Sequence, residues 1–262
     1  MRENNIRKLW AEGRTAVNGW LAIPSTFSAE TMAHQGWDSL CIDLQHGVND
    51  YLKAVDMLTA ISTTDTVPLV RVPWLEEGII MKMLDAGAYG IICPMINSRE
   101  ECERFVAASS YPPMGRRSNG PIRALLYAGS DYQAHANDTI LRFAMIETAE
   151  GLNNLDQIMS VPGLDAVYIG PSDLSLALGC RPVFDDLDPP AAEAVELILA
   201  KAREHGIRAA CHNGTAEWAR RRRAMGFDLV TISSDARLLA AGAQQAVAAM
   251  ADGDNSAYAG RK

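Results

Sequence analysis

The 262-residue chain has no CxxC pair, and its five cysteines (Cys41, Cys93, Cys102, Cys180 and Cys211) are an odd number. That argues against a disulfide framework and for buried free thiols in a reducing cytoplasm. No apolar run reaches about 18 residues, so no membrane span is expected. The opening "MRENNIRKLWAEG" is too polar for a secretory signal and reads as an amphipathic helix over 1–13. Positive charge is not in excess: 24 Lys and Arg stand against 32 Asp and Glu, a net charge of −8. A nucleic-acid partner is therefore not expected. The densest basic run, Arg220 to Arg223, reads as a solvated or interface helix face. No GxGxxG follows an early strand, which weakens an open doubly wound sheet. There is no internal repeat and no low-complexity segment.

What is present is a regular alternation. Apolar, β-branched runs fall at 18–23, 39–44, 67–72, 90–95, 141–147, 166–170, 208–213 and 229–234. They are continuous runs, as expected when both sheet faces are covered in a parallel sheet. Helical periodicity fills the gaps, with start signals such as the Ser98–Glu101 box. A hydrophobic content of 48% can bury a large core. Eight βα units in about 250 residues predict a single α/β domain over 1–262, a closed (β/α)₈ TIM barrel. The stretch 111–138 breaks the rhythm. Its prolines and glycines predict a long irregular connection, able to wrap round the barrel or contact a partner subunit. The tail 253–262 is expected to fray.

In such a barrel chemistry gathers at the C-terminal ends of the strands. The polar residues predicted there are Asp43, Gln45, His46, Arg71, Asn97, Glu147, Ser172, Asp173, His212, Asn213, Ser233 and Ser234. Glu147 and Asp173 come from adjacent strands. Two carboxylates without a His or Cys companion suit a hard divalent cation; helix capping is the competing role for both. Arg71, in an apolar strand, needs an anionic partner, either a structural carboxylate or a substrate anion. "GPSDLSLALG" predicts a short helix after Pro171, whose free N–H groups suit an anion. Asp43, three residues before His46, is placed to accept from the imidazole and free its other nitrogen as a base, or the histidine is simply structural. No strand end carries a lysine, which argues against a Schiff-base enzyme.

Taken together, "GRTAVNGWLAIPSTFSAE", "CIDLQHG", "PLVRVPW", "MLDAGAYGIICPMINS", "YPPMGRR", "IETAEGLNNLDQI" and "YIGPSDLSLALG" span nearly the whole chain. In this order they resemble the HpcH/HpaI aldolase family, the metal-dependent class II pyruvate aldolases. The resemblance implies a barrel whose C-terminal helix is swapped between subunits of a homohexamer, a trimer of dimers. It implies a divalent cation (Mg²⁺, Mn²⁺ or Co²⁺) on Glu147 and Asp173, and no organic cofactor. His46, oriented by Asp43, becomes the acid/base dyad, acting with a water on the cation. Arg71 stabilises the enolate and positions the carbonyl. Gly170, Pro171 and the backbone at Ser172 and Asp173 cradle the substrate carboxylate. Trp20 lies near the pocket, and Asp85 matches a position that reaches a neighbouring subunit's site. Gln45 stands where many relatives have Glu, and Met145 where many have Gln.

The implied reaction is reversible cleavage of a 4-hydroxy-2-oxo acid to pyruvate or hydroxypyruvate plus an aldehyde. The two departures point away from dicarboxylic semialdehydes and towards a smaller, neutral hydroxyaldehyde. The competing readings are a malyl-CoA-type acyl-CoA lyase, an oxaloacetate decarboxylase on the same barrel, and a non-catalytic keto-acid-binding barrel. A CoA substrate would call on Arg116, Arg117 and Arg123 for its phosphates.

Overall fold

A computed structural model describes residues 1–251; the tail expected to fray, 253–262, lies outside the described residues. Eight strands alternate with helices: β1 Ala16–Leu21, β2 Ser39–Asp43, β3 Val67–Arg71, β4 Gly90–Cys93, β5 Leu141–Ile146, β6 Ala166–Ile169, β7 Arg208–Asn213 and β8 Leu229–Ile232. Each pairs in parallel with its sequence neighbour, and β1 pairs with β8 to close the ring. Every residue of β2 to β6 is buried, the reason those runs do not alternate with polar residues. No helix among the described residues is long and apolar enough to cross a membrane. Four cysteines are buried, Cys180 is partly exposed, and all five are free thiols.

The register decides which side chains meet at the rim. Asp43 lies opposite Arg71, and His212 opposite Thr231. Ile146 lies opposite Ile169, so Glu147 and Gly170 leave the sheet side by side. Local chemistry starts the helices between these strands. The side chains of Ser25, Asp50, Ser98, Thr148 and Thr215 each accept from a backbone N–H in the first turn that follows. Such a cap is worth about 1 kcal/mol. Glu101 completes its box one residue early, accepting from Asn97 N at 2.7 Å.

Several expectations need correction. β1 begins and ends two residues before the predicted 18–23, because the Ala22 and Ile23 amides donate to Asp235 instead of extending the ladder. The N-terminal helix is shorter than 1–13 and spans Asn5–Ala11. The connection 111–138 is irregular only at its start. Helices at Ile122–Ala128 and Tyr132–Thr139 follow, each burying a pair four residues apart: Ala124 with Ala128, and Tyr132 with Ala136. The basic run is not wholly solvated, since Arg222 is buried while Arg220, Arg221 and Arg223 are exposed. The last helix, Asp235–Ala251, is exposed from 236 to 250.

Candidate active site

A cavity of about 500 Å³ opens at the C-terminal rim. Trp20 and Ala22 reach it from the end of β1, Asp43 and His46 from β2, and Arg71 from β3. Met145 comes from β5, and Gly170, Ser172 and Asp173 from the end of β6. Of the predicted set, His46, Arg71 and Asp173 line this cavity together, whereas Glu147 does not line it and stands behind Gly170.

Asp43 is the best-connected group there. Its Oδ1 accepts from Arg71 Nε at 2.9 Å and its Oδ2 from Arg71 Nη2 at 2.7 Å. Trp20 Nε1 donates to Oδ2 at 3.1 Å, and the backbone amides of Gln45 and His46 donate to Oδ1 at 3.0 and 3.2 Å. Burial pushes the Asp43 carboxyl up, but the Arg71 bonds and charge outweigh it and hold the group below the usual carboxylate range. Burial likewise pulls Arg71 down, and Asp43 more than compensates. This corrects the expected dyad. Asp43 takes the backbone N–H of His46 and not its ring, because five donors already fill its oxygens. It fixes the turn that carries His46 and clamps Arg71, whose guanidinium also lies over the Trp20 ring at 4.8 Å. Among the described residues Arg71 Nη1 has no acceptor, and His46 is exposed to the cavity.

Glu147 is buried, and its Oε1 accepts from Met95 N at 2.9 Å. Met95 holds φ 56°, a left-handed conformation costly for a non-glycine residue, which turns its N–H to that oxygen. Burial drives the Glu147 carboxyl up to about 7; the Met95 bond opposes this, and the negative Asp173 adds to it. Among the described residues, neither carboxylate has a salt-bridge partner. The capping alternative fails for both. Thr148 caps the helix after Glu147, and Gly170, without a side-chain bond, precedes the Pro171–Ala177 helix that contains Asp173. A Cβ on Gly170 would stand 2.5 Å from Glu147 Oε2 and 2.5 Å from Met145 Cε. Glycine there keeps Oε2 clear. Glu147 Oε2 and the exposed Asp173 carboxylate, neither bonded to another described residue, fit a hard cation whose remaining positions go to water and substrate. Among the described residues no third His, Cys, Asp or Glu joins them.

The Pro171–Ala177 helix opens with proline at its first turn, so the amides of Ser172 and Asp173 are the first N–H groups it offers. Gln45 lies behind the rim, its Oε1 buried without a partner. Asp85 is not in this cavity: it ends helix Glu77–Asp85 and accepts from Arg117 at 2.7 Å. Asn97 bonds Thr148 and also stays outside. The cavity contains residues the sequence did not single out for a role: His212, Phe184, Ser233, Ser234 and Arg237. His212 and the two serines are predicted strand-end residues, yet nothing local signalled their partners. Phe184 and Arg237 come from a loop and a helix start, where no motif marks them. Among the described residues no lysine lines the cavity.

The model of the HpcH/HpaI aldolase/citrate lyase family matches residues 18–250. A hydroxypyruvate/pyruvate aldolase of Rhizorhabdus wittichii is 43% identical over 245 residues, covering 94% of this chain and 98% of that one. A 4-hydroxy-2-oxo-heptane-1,7-dioate aldolase of Escherichia coli is 33% identical, covering 92% and 93%. Among solved structures, an HpcH/HpaI aldolase/citrate lyase family protein from Burkholderia cenocepacia superposes with a TM-score of 0.88 at 29% identity, covering 94% of this chain and 99% of that one.

Proposed function

From the premise that the chain belongs to the HpcH/HpaI aldolase/citrate lyase family, we propose a class II aldolase that reversibly cleaves 4-hydroxy-2-oxo acids. The products are pyruvate or hydroxypyruvate and an aldehyde. The observation that carries the reading is buried Glu147, whose Oε2 lies behind Gly170 in the wall of the cavity that Asp173, Arg71 and His46 line.

Glu147 and Asp173 would hold Mg²⁺, Mn²⁺ or Co²⁺, which would supply Lewis acidity to offset enolate charge. Arg71, held rigid by Asp43 and Trp20, directs its unpaired Nη1 to the same developing charge. The amides of Ser172 and Asp173 receive the substrate carboxylate. In cleavage His46 takes the C4 hydroxyl proton, the C3–C4 bond breaks, and the aldehyde leaves. A proton returned to C3 of the enolate completes the keto acid. In synthesis the same histidine removes the C3 proton. No lysine among the described residues lines the cavity, which supports this route over a covalent imine.

An acyl-CoA substrate is disfavoured by the positions of the three arginines. Arg116 pairs with Glu77 and Arg117 with Asp85, while Arg123 bonds Ala86 O, Thr59 and Ser62; none lines the cavity. For assembly we propose a homohexamer with the C-terminal helix seated on a neighbouring subunit. The exposed Leu238, Leu239, Val247 and Met250 support this, since a monomer rarely leaves such a stripe uncovered. Asp85 is then the group placed to reach a neighbour's site. The test of the activity is direct. Excess chelator abolishes cleavage and Mg²⁺, Mn²⁺ or Co²⁺ restores it; full activity in chelator sinks the reading.

A further inference from the structure

One wall of the cavity carries a polar chain that the mechanism above does not use. It crosses the barrel interior through four fully buried residues on four strands. Ser39 Oγ on β2 donates to Asn18 Oδ1 on β1 at 2.8 Å. Asn18 Nδ2 donates to Thr231 Oγ1 on β8 at 2.9 Å. Thr231 Oγ1 meets Tyr168 Oη on β6 at 2.7 Å, and Tyr168 Oη meets His212 Nδ1 on β7 at 3.1 Å. Only His212 faces the cavity.

Counting protons gives the chain a direction. Thr231 already accepts from the Asn18 amide, so its hydroxyl proton has one remaining acceptor, Tyr168 Oη. Tyr168 then passes its own proton to His212 Nδ1. An imidazole that accepts at Nδ1 carries its proton on Nε2. The opposite polarity strands the Thr231 proton in a fully buried place, at a cost of about 1–3 kcal/mol. Burial, with the Arg71 charge adding to it, pushes His212 down to about 3, so the ring stays neutral. The rings of Trp20, edge-on at 5.0 Å, and Phe184, at 4.8 Å, hold it in place.

We propose that His212 is a specificity-determining residue, its Nε2–H held towards the cavity by the Ser39–Asn18–Thr231–Tyr168 chain to donate to an uncharged hydroxyl oxygen of the aldehyde substrate. The proposal rests on the aldolase reading. Trp20 separates the imidazole from Arg71, packing against both. The donor therefore sits beside the keto-acid position, where the second substrate lies. A neutral N–H suits a hydroxyl; a second carboxylate would instead call on Arg237, which lines the same cavity and lies over the Phe184 ring at 4.9 Å.

The test compares glycolaldehyde with propanal, a hydroxyl against a methyl of similar size, each condensed with pyruvate by the Mn²⁺-loaded protein. The wild type prefers glycolaldehyde in kcat/KM by about tenfold or more. His212→Phe brings the ratio near one, and His212→Gln, which keeps an N–H donor, restores part of it. A ratio unchanged in His212→Phe, with both aldehydes losing equally, overturns the proposal and leaves the residue merely structural. Nitrogen-15 NMR of the imidazole tests the chain without substrate. The Nε2–H tautomer is expected in the wild type and a mixture in Tyr168→Phe; an Nδ1–H tautomer in the wild type overturns it. Exchange of the pyruvate C3 protons with solvent deuterium by the wild type is the separate control. Its absence removes the aldolase reading, and the NMR result still decides the direction of the chain.

Discussion

Glu147 is a buried carboxyl group with the negative Asp173 near it, and without a cation its ionisation works against the fold. Its folded pKa, about 7, lies above the ordinary value of 4.5, so the native state holds the proton more tightly than the unfolded chain does. The stabilisation is complete at low pH and is lost as pH rises from about 4.5 through about 7, by up to about 3 kcal/mol. Urea denaturation of metal-free protein across this range should show the decline, and Glu147→Gln should flatten it. The Asp43–Arg71 clamp gives a second expectation. Asp43→Asn keeps the shape but loses the charge that holds Arg71, and kcat should fall about 100-fold in steady-state assays with little change in folding midpoint. The sequence shows Asp43 and His46 three residues apart and suggests that they bond through the ring. Arg71, 28 positions away, takes the carboxylate because the β2–β3 register sets it opposite. A local reading has no access to that competition. His212 was legible as a strand-end residue, but its partners Tyr168 and Thr231 look like core in the sequence, and the chain through them is invisible there.

At the scale of elements, the eight strands were legible because burial on both faces writes an unbroken apolar run. Their ends were less so. Ala22 and Ile23 are as apolar as the strand before them, yet Asp235 captures their amides. The helices within 111–138 were hidden by the prolines and glycines that precede them. Where β5 and β6 end, one missing side chain matters. Gly170→Ala should leave the barrel intact and lower cation affinity at least tenfold by titration calorimetry, since the new methyl stands on Glu147 Oε2. Unchanged affinity would separate Oε2 from the cation site.

For the whole molecule, the proposed mechanism draws each task from its own strands: β2 and β3 the clamp, β5 and β6 the carboxylates, β7 the aldehyde wall. Sedimentation should give a particle of six times the 28.4 kDa chain mass. Leu239→Glu, in the exposed helix, should reduce that mass, and a wild-type monomer would remove the swapped-helix proposal. Closure of the ring has one more consequence. Asn18 on the first strand touches both Ser39 on the second and Thr231 on the last. The proton's address on a single imidazole thus depends on the chain's two ends having met. The tautomer of His212 is a spectroscopic witness that the circle is shut, and a barrel with its final strand undocked would be blind to the very substrate feature it is built to read.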